Sequence, residues 1–182
     1  MALDITSFFR PEALTPTFLT QQKQIKEKAT ARAVDTGVAT SDRELVRRDL
    51  LPEDVGFTNN DWAKSVDLTE PGEFEYIKKT LEDWEYIVII GVAIHDTNVR
   101  AAYIAFDLGA AQRKAIIDLH KAYVQEEPII LFNTPIKYEP GQEMIIKLWG
   151  LTTGSGVTYR IQLLGYKIEP VGKKIGKPTT TS

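Results

Sequence analysis

The chain has 182 residues, a formal net charge of −3 and 43% hydrophobic residues, which suits one domain of ordinary size with an appended segment. A charge this small excludes a broad electrostatic surface for nucleic acid or for an anionic membrane. The sequence contains no cysteine, so disulfides and thiolate metal sites are excluded.

The apolar stretches argue against a targeting or membrane segment. Residues 1–9 mix Asp4 and Ser7 with apolar residues and contain no basic region, so we expect no secretory signal. The longest apolar run, residues 86–94, is far shorter than the ~20 residues of a membrane-spanning helix. Short basic clusters within residues 23–32 and 173–177 are interpreted as solvated chain, with contact to a polyanion as the alternative.

Residues 1–70 are predicted to form an N-terminal arm, because they contain few β-branched runs and are interrupted by prolines. Residues 20–33 have the composition of a helix but almost no apolar stripe, so a helix there would lack a face to bury and would need a partner to order it. Ser41 and Glu44 have the spacing of a capping box, which predicts a short helix over residues 42–51.

Four apolar residues of this arm are candidate anchors for a partner: Phe8, Phe9, Phe18 and Leu19. Residues 1–40 cannot bury enough apolar surface to offset ~1–2 kcal/mol of backbone ordering per residue, so their order is expected to come from contacts with another subunit. Aromatic residues scattered through a polar segment suit pockets on such a partner.

From Gly72 the sequence acquires the period of two that is typical of strands. Residues 74–80 are predicted as an entry strand. Residues 86–94 are apolar on both faces, which places that strand in the centre of a sheet. A returning strand follows over residues 101–106.

Residues 109–123 are ambiguous, because their apolar positions fit a helix as well as a strand. Alanine, Gln, Arg and Lys favour the helix, whereas the neighbouring strands favour a strand over residues 113–119, which is the preferred interpretation. Residues 129–132 lie between prolines, and this position suits an edge strand or a strand that changes sheet.

Residues 138–170 are predicted to close the sheet domain. A turn at Pro140-Gly141 leads into a strand over residues 144–150, and a Gly-rich loop leads into a longer return strand. After Leu163 the apolar residues change from odd to even positions, which predicts a bulge or bend near Gly165. The expected interior residues are Met144, Ile146, Leu148, Val157, Tyr159 and Ile161.

Seven or eight short strands at this spacing predict a mainly-β fold, a single antiparallel jelly-roll β-sandwich over residues 71–170. An extended, partly helical arm over residues 1–70 precedes the sandwich, and a polar tail over residues 171–182 follows it.

Motifs for catalysis or metal binding are not found in the sequence. His95 and His120 lack the spacing of metal ligands, and the glycines of residues 150–156 are not followed by a phosphate-binding Gly-Lys-Ser/Thr. Carboxylates near turns could pair as in a glycosidase, but such residues more often bond backbone amides; they are Asp96, Asp107 and Asp118. We therefore expect no catalysis, no cofactor and no metal.

Five aromatic residues could form a sugar-stacking platform or fill the core and interfaces: Tyr103, Tyr123, Tyr138, Trp149 and Tyr159. Their distribution over several strands favours filling of the core. Trp149 is the candidate surface aromatic residue, because it lies on the strand face opposite Met144, Ile146 and Leu148.

The closing strands carry the segment NTPIKYEPGQ (residues 133–142), a Gly-rich hairpin, and LGYKIEP (residues 164–170). This succession resembles the closing strands of single jelly-roll virion proteins, the capsid decoration (cement) proteins and small capsid proteins of icosahedral double-stranded DNA viruses. The resemblance implies a structural protein that is made in the host cytoplasm and incorporated in the virion. It also implies a homotrimer whose arms contact neighbouring capsid proteins.

Two other functions remain open at this stage. The chain could be a carbohydrate- or receptor-binding β-sandwich module of a viral tail or fibre, which exposed coplanar aromatic residues or a calcium site would favour. It could also be an enzyme on a β-sandwich scaffold, which would require carboxylates or histidines that converge in a cleft.

Overall fold

The computed structural model of the protein describes residues 16–58, 60–96, 98–124 and 128–172. Its helices are α1 (Pro16–Asp35) and α2 (His120–Val124), and short 3-10 turns span Asp42–Glu44 and Pro52–Val55. The strands are β1 (Leu45–Asp49), β2 (Ala63–Leu68), β3 (Gly72–Thr80), β4 (Tyr86–Ile94), β5 (Ala101–Leu108), β6 (Gln112–Asp118), β7 (Ile129–Tyr138), β8 (Glu143–Gly150) and β9 (Gly154–Pro170). No helix within the described ranges is long and apolar enough to cross a membrane.

The strands form two antiparallel sheets with the strand order of a jelly roll. One sheet has the order β1-β9-β4-β7 with β2 also paired to β9, and the other has the order β3-β8-β5-β6. The β5–β6 hairpin apart, each connection from β2 to β9 crosses from one sheet to the other, as in the paired Greek keys of a jelly roll. The predicted mainly-β antiparallel jelly-roll sandwich is confirmed.

The space between the sheets holds the main apolar core. The predicted interior residues Met144, Ile146, Leu148, Tyr159 and Ile161 are buried there, and Val157 is half-buried at its margin. All positions of β4 are buried between β9 and β7, which confirms the prediction of a central strand. Each Ile or Val buried in this strand contributes about 1.5–3 kcal/mol.

A register irregularity does occur beside Gly165, but the extra residue lies on β4, the strand that pairs with β9 at this point. On β9, odd positions up to Leu163 face the main core and the even positions Leu164, Tyr166 and Ile168 face the other side, so β9 keeps its period of two. The register shift is on β4, between Ile89, which pairs with Gly165, and Gly91. The prediction was wrong only in placing the irregularity on β9. The odd positions of β9 after Leu163 are glycine or charged, so its apolar residues change from odd to even positions without a bulge in that strand.

Helix α1 covers the outer face of the five-stranded sheet. Ala29 and Ala33 are buried against sheet residues that include Val88, Leu164 and Tyr166. The prediction that residues 20–33 have no face to bury and need another subunit is therefore wrong for the described part of this segment. Two alanines allow the helix backbone to approach closely, and the sheet supplies the large apolar side chains that the helix lacks.

The predicted helix over residues 42–51 is also wrong. Only Asp42–Glu44 forms a 3-10 turn, and Leu45–Asp49 is strand β1, which pairs with the last five residues of β9. Glu44 does reach back along the chain, but its carboxylate accepts hydrogen bonds from the backbone N–H and the hydroxyl of Thr40, the residue before the predicted partner Ser41. Pairing with β9 overrides the local helical signal, and the jelly roll begins at Leu45.

The ambiguous segment contains the favoured strand, β6, followed by the short helix α2. Ala115 and Ile117 pack toward the core, while Ile116 between them is 53% exposed. This alternation has the period of two of a strand. Strand β7 ends its sheet, as predicted, and extends beyond residue 132 to Tyr138.

Candidate functional site

Four of the five charged side chains that are buried among the described residues belong to an inter-sheet ion cluster at one end of the sandwich. Strand β9 places Lys167 and Glu169 on the face that points between the sheets, because Lys167 pairs with the core residue Ile87. The other members come from β1, a 3-10 turn, β3 and the residue before β4. The cluster comprises Arg48, Asp54, Lys79, Glu85, Lys167 and Glu169.

Lys167 is the centre of this cluster. Its ammonium lies 3.2 Å from Asp54, 2.6 Å from Glu85 and 3.1 Å from Glu169. The guanidinium of Arg48 donates two hydrogen bonds to Asp54, at 2.5 and 2.6 Å. Three cations therefore balance three carboxylates, and this pairing offsets the cost of burying the charges.

Opposing effects set the protonation of these groups. Burial alone would raise the pKa of Asp54, but hydrogen bonds from Arg48 and from the Leu51 N–H hold it below its usual value. Burial acts on Glu85 in the same way, and hydrogen bonds from Lys167 and Lys79 lower its pKa. Asp54 and Glu85 are therefore ionised at neutral pH, and each of the three carboxylates has a cationic partner within 3.2 Å, which is typical of a structural role.

We expect the protein to lose stability on acidification. Because the folded-state pKa values of Asp54 and Glu85 are lowered, their stabilisation is complete above the unfolded-state values of about 4 and is lost as the pH falls through the folded-state values. The urea midpoint measured between pH 7 and pH 2.5 should decline steeply below about pH 4.5. Glu85→Gln should be less stable at pH 7 and decline less, whereas Glu143→Gln, at a more exposed pair with Lys78, should follow the wild-type curve. Equal curves for all three proteins would contradict this prediction.

A second charged group lies on the outer face of the four-stranded sheet. Because Met144, Ile146 and Leu148 of β8 face the core, the alternate residues Lys147 and Trp149 face outward. We define the outer-face patch as these two residues with their neighbours on β3, β5 and β6: Glu73, Tyr103, Asp107, Arg113, Lys147 and Trp149.

Arg113 links the carboxylates of the outer-face patch. It bonds Asp107 at 2.8 Å and Glu73 at 3.0 Å, and Lys147 lies 3.3 Å from each of the same carboxylates. Hydrogen bonds from Arg113 hold the pKa of Asp107 below its usual value. The hydroxyl of Tyr103 donates to Glu73 at 3.1 Å.

Of the five aromatic residues that the sequence suggested as a platform, the structure brings two together on an outer face. Trp149 and Tyr103 lie with ring centroids 5.7 Å apart and an interplanar angle of 34°, and both are half-buried. Tyr138 and Tyr159 are fully buried in the core. The position predicted for Trp149, opposite the core face of its strand, is correct.

The arm anchors fall largely outside the described structure. Phe8 and Phe9 lie outside the described residues, as does the basic tail after residue 172. Phe18 and Leu19 belong to α1 by their backbone, but their side chains are not among those described. Their role as anchors stays a prediction.

The candidate catalytic residues do not converge. His95 is exposed and contacts Gln162 at 3.0 Å, and the Asp118 carboxylate accepts the backbone N–H of His120. Asp96 accepts the backbone N–H of Arg160, on β9, and Asp107 belongs to the outer-face patch. Among the described residues, no group of three or more His, Asp or Glu side chains is placed to hold a metal ion.

The residues that the sequence analysis did not identify are the charged residues of the ion cluster and, apart from Asp107, those of the outer-face patch. Lys167 and Glu169 were given no role, although they continue the inward-facing odd positions of β9. Glu73, Arg113 and Lys147 come from three different strands, so their meeting depends on the pairing of β3, β8, β5 and β6.

The fold and the site define the chain as an antiparallel jelly-roll β-sandwich with one helix-covered sheet. No family model matches the sequence, and no curated protein matches it. A solved structure that is similar is the C-terminal CBM6 of LamC, a marine laminarinase from Zobellia galactanivorans, at 10% identity and a TM-score of 0.34. The similarity covers 68% of this chain and 99% of that chain, and at this level it supports no inference about function.

Proposed function

We propose that the chain is a structural protein of a virus particle, a capsid-forming or decoration (cement) jelly roll without enzymatic activity. Its partners are other copies of itself, as a homotrimer, and neighbouring capsid proteins. The observation that carries this proposal is the strand order of the two sheets, which is the jelly-roll order used by viral capsid domains among others.

Two further features support the proposal. Both clusters of charged residues described above pair carboxylates with cations, which suits a stable scaffold better than a reaction centre. Helix α1 fastens the N-terminal segment to the sandwich, with Arg32 bound to Glu139 at 2.9 Å and Gln22 accepting from the Tyr166 hydroxyl at 2.8 Å. Residues 1–15, with Phe8 and Phe9, precede this fastened helix and are the segment that we assign to inter-subunit contact.

Two truncations test this assignment. Deletion of residues 1–15 should leave the thermal midpoint within about 2 °C of the full chain, because α1 and both sheets are retained, while incorporation into particles falls sharply. Deletion of residues 1–40 should instead lower the midpoint by 5 °C or more, which corresponds to about 1.3–2.5 kcal/mol for a chain of this size, because it uncovers the apolar sheet face beneath Ala29 and Ala33.

The measurements are calorimetry on the purified chain and quantification of the chain in particles assembled from co-expressed virion components. Phe8→Ala/Phe9→Ala in the full chain is the matched variant, since it keeps the length of the arm. Normal incorporation of both the 1–15 deletion and this variant would contradict the proposed role of the arm.

A second candidate function is a carbohydrate- or receptor-binding module of a viral tail or fibre. It is favoured by one observation, the pairing of Trp149 with Tyr103 on a sheet face that carries none of the described helices. This candidate predicts that the purified protein binds a saccharide without any other virion component.

A further inference from the structure

We infer that the outer-face patch binds a neutral polysaccharide, with pyranose rings stacked on Trp149 and Tyr103. This inference deepens the second candidate function by naming its ligand class and the residues of its site. It does not depend on the proposed role in the virus particle.

The aromatic pair lies in a row of residues that crosses all four strands of the sheet. Glu73 of β3 pairs with Trp149 of β8, Trp149 packs beside Tyr103 of β5, and Tyr103 pairs with Asp118 of β6. With about 4.8 Å between strands, this row is ~14 Å long. It presents two rings in the middle and a carboxylate at each end.

This arrangement matches the two surfaces of a sugar. The C–H face of a pyranose is apolar and packs on an aromatic ring, while the hydroxyls at its edge need hydrogen-bonding partners in the ring plane. Glu73 and Asp118 accept hydrogen bonds from hydroxyls, and Arg113 and Lys147 donate them. Partners of both kinds therefore border the two rings.

The ring of Tyr103 is held in place before any ligand binds. Its hydroxyl donates to Glu73, and Glu73 is itself fixed by Arg113 at 3.0 Å and by Lys147 at 3.3 Å. A side chain restrained in this way loses little conformational entropy on binding. Glu73 and Arg113 act here as positioning residues for the platform.

The charge of the face selects against an anionic ligand. By strand register it carries five carboxylates against three cations, and both ends of the aromatic row are acidic. Nucleic acids and sulfated or carboxylated polysaccharides need a cationic surface. A neutral saccharide has no such requirement. The charged residues are Glu73, Glu75, Lys78, Asp107, Arg113, Asp118, Glu143 and Lys147.

The size of the face selects against a stable protein partner. Four strands of about eight residues, at ~4.8 Å between strands and ~3.3 Å per residue, cover roughly 500 Å². A specific protein interface needs about 800 Å² on each side. Among the described residues of these four strands, Ile116 alone is a large apolar side chain that is strongly exposed. The face is large enough for a saccharide chain and too small to hold a protein by itself.

The test uses the full chain in affinity electrophoresis, with soluble β-glucan, α-mannan and galactan in separate gels and heparin as the anionic probe. We expect retardation by at least one neutral polysaccharide and none by heparin at 150 mM salt. Trp149→Ala and Tyr103→Ala should each weaken the retardation at least ~10-fold. Ile116→Ala, on the same face, should leave it unchanged.

Each result of this electrophoresis either supports or contradicts binding of a neutral polysaccharide at the outer-face patch. Absence of retardation by all three neutral polysaccharides, or retardation that survives both aromatic substitutions, would overturn it, as would binding of heparin alone. Urea midpoints show that the variants fold, and Tyr103→Ala provides the result should Trp149→Ala be unstable. Incorporation of Tyr103→Ala into particles should be normal, so failure here is distinguishable from failure of the structural role.

Discussion

Lys167→Met is expected to destabilise the protein by about 3–5 kcal/mol, the cost of leaving a buried charge without its partner. The substitution keeps an apolar stem of four heavy atoms and removes the ammonium group. Asp54, Glu85 and Glu169 would then share two cations, Arg48 and Lys79. Since domains of this size are stable by only ~5–15 kcal/mol, this single change should remove a large part of the stability.

Urea unfolding followed by circular dichroism at pH 7 measures this loss. Lys78→Met is the matched control, because its pair with Glu143 is much more exposed and such pairs contribute about 0–1 kcal/mol. Lys167→Arg, which keeps the charge, should be intermediate. A loss below about 1 kcal/mol for Lys167→Met would mean that solvent screens the cluster and that it does not hold the end of the sandwich together.

The second large effect is expected at Gly165. A Cβ atom at this position would lie 2.1 Å from the carbonyl oxygen of Val88 and 3.0 Å from the Cα of Ile89. Both atoms belong to the backbone of the central strand, so neither can turn aside as a flexible side chain would. Gly165→Ala should therefore separate β9 from β4 and cost more than ~3 kcal/mol, or prevent folding.

The comparison for this prediction is Gly72→Ala at the start of β3. There the nearest atom to an added Cβ is 3.9 Å away, so the cost should stay within about 1 kcal/mol. Thermal midpoints, or the soluble fraction on expression where the variant does not fold, provide the measurement. Equal stability of the two variants would contradict the close approach of β9 to β4.

The elements that the sequence predicted correctly are those with local signals. Apolar residues on both faces of Tyr86–Ile94 predict a central strand. The alternation of Met144, Ile146 and Leu148 predicts which face of their strand points to the core. In both cases the pattern that fixes burial is complete within a single segment. The strand preferred over residues 113–119 was also correct, but its own apolar positions fitted a helix equally well, and the choice came from the neighbouring strands.

The elements that were mispredicted depend on distant segments. Strand β1 has only one buried residue, Leu45, and forms because the end of β9 lies beside it. Helix α1 has almost no apolar stripe. The large apolar side chains against which it is buried belong to the sheet and include Val88 and Tyr166. Neither the partner strand nor the sheet face is visible in the local sequence, so propensity and capping signals led to the wrong element.

In the candidate site, too, the residues with a local sequence signal were predicted and those that depend on distant segments were not. Trp149 was identified because one strand shows which of its faces is apolar. Tyr103 was among the five aromatic candidates, but its meeting with Trp149, Glu73 and Arg113 could not be predicted, because these residues come together only through the lateral order of four strands. The charged positions of β9 were predictable in principle, since Lys167 and Glu169 continue the inward-facing series of Tyr159, Ile161 and Leu163.

The position of β9 in the larger sheet has a consequence for how the chain folds. It is the last described strand in sequence, yet it pairs with β1, β2 and β4, and Leu45 finds its partner at Pro170. The complete sheet therefore cannot form until residues 154–170 have been synthesised. Until then, the edges of β1, β2 and β4 that pair with β9 stay unpaired. We expect folding to be slow, on the scale of about milliseconds to seconds that non-local pairing imposes, and the growing chain to depend on chaperones until its last strand is inserted.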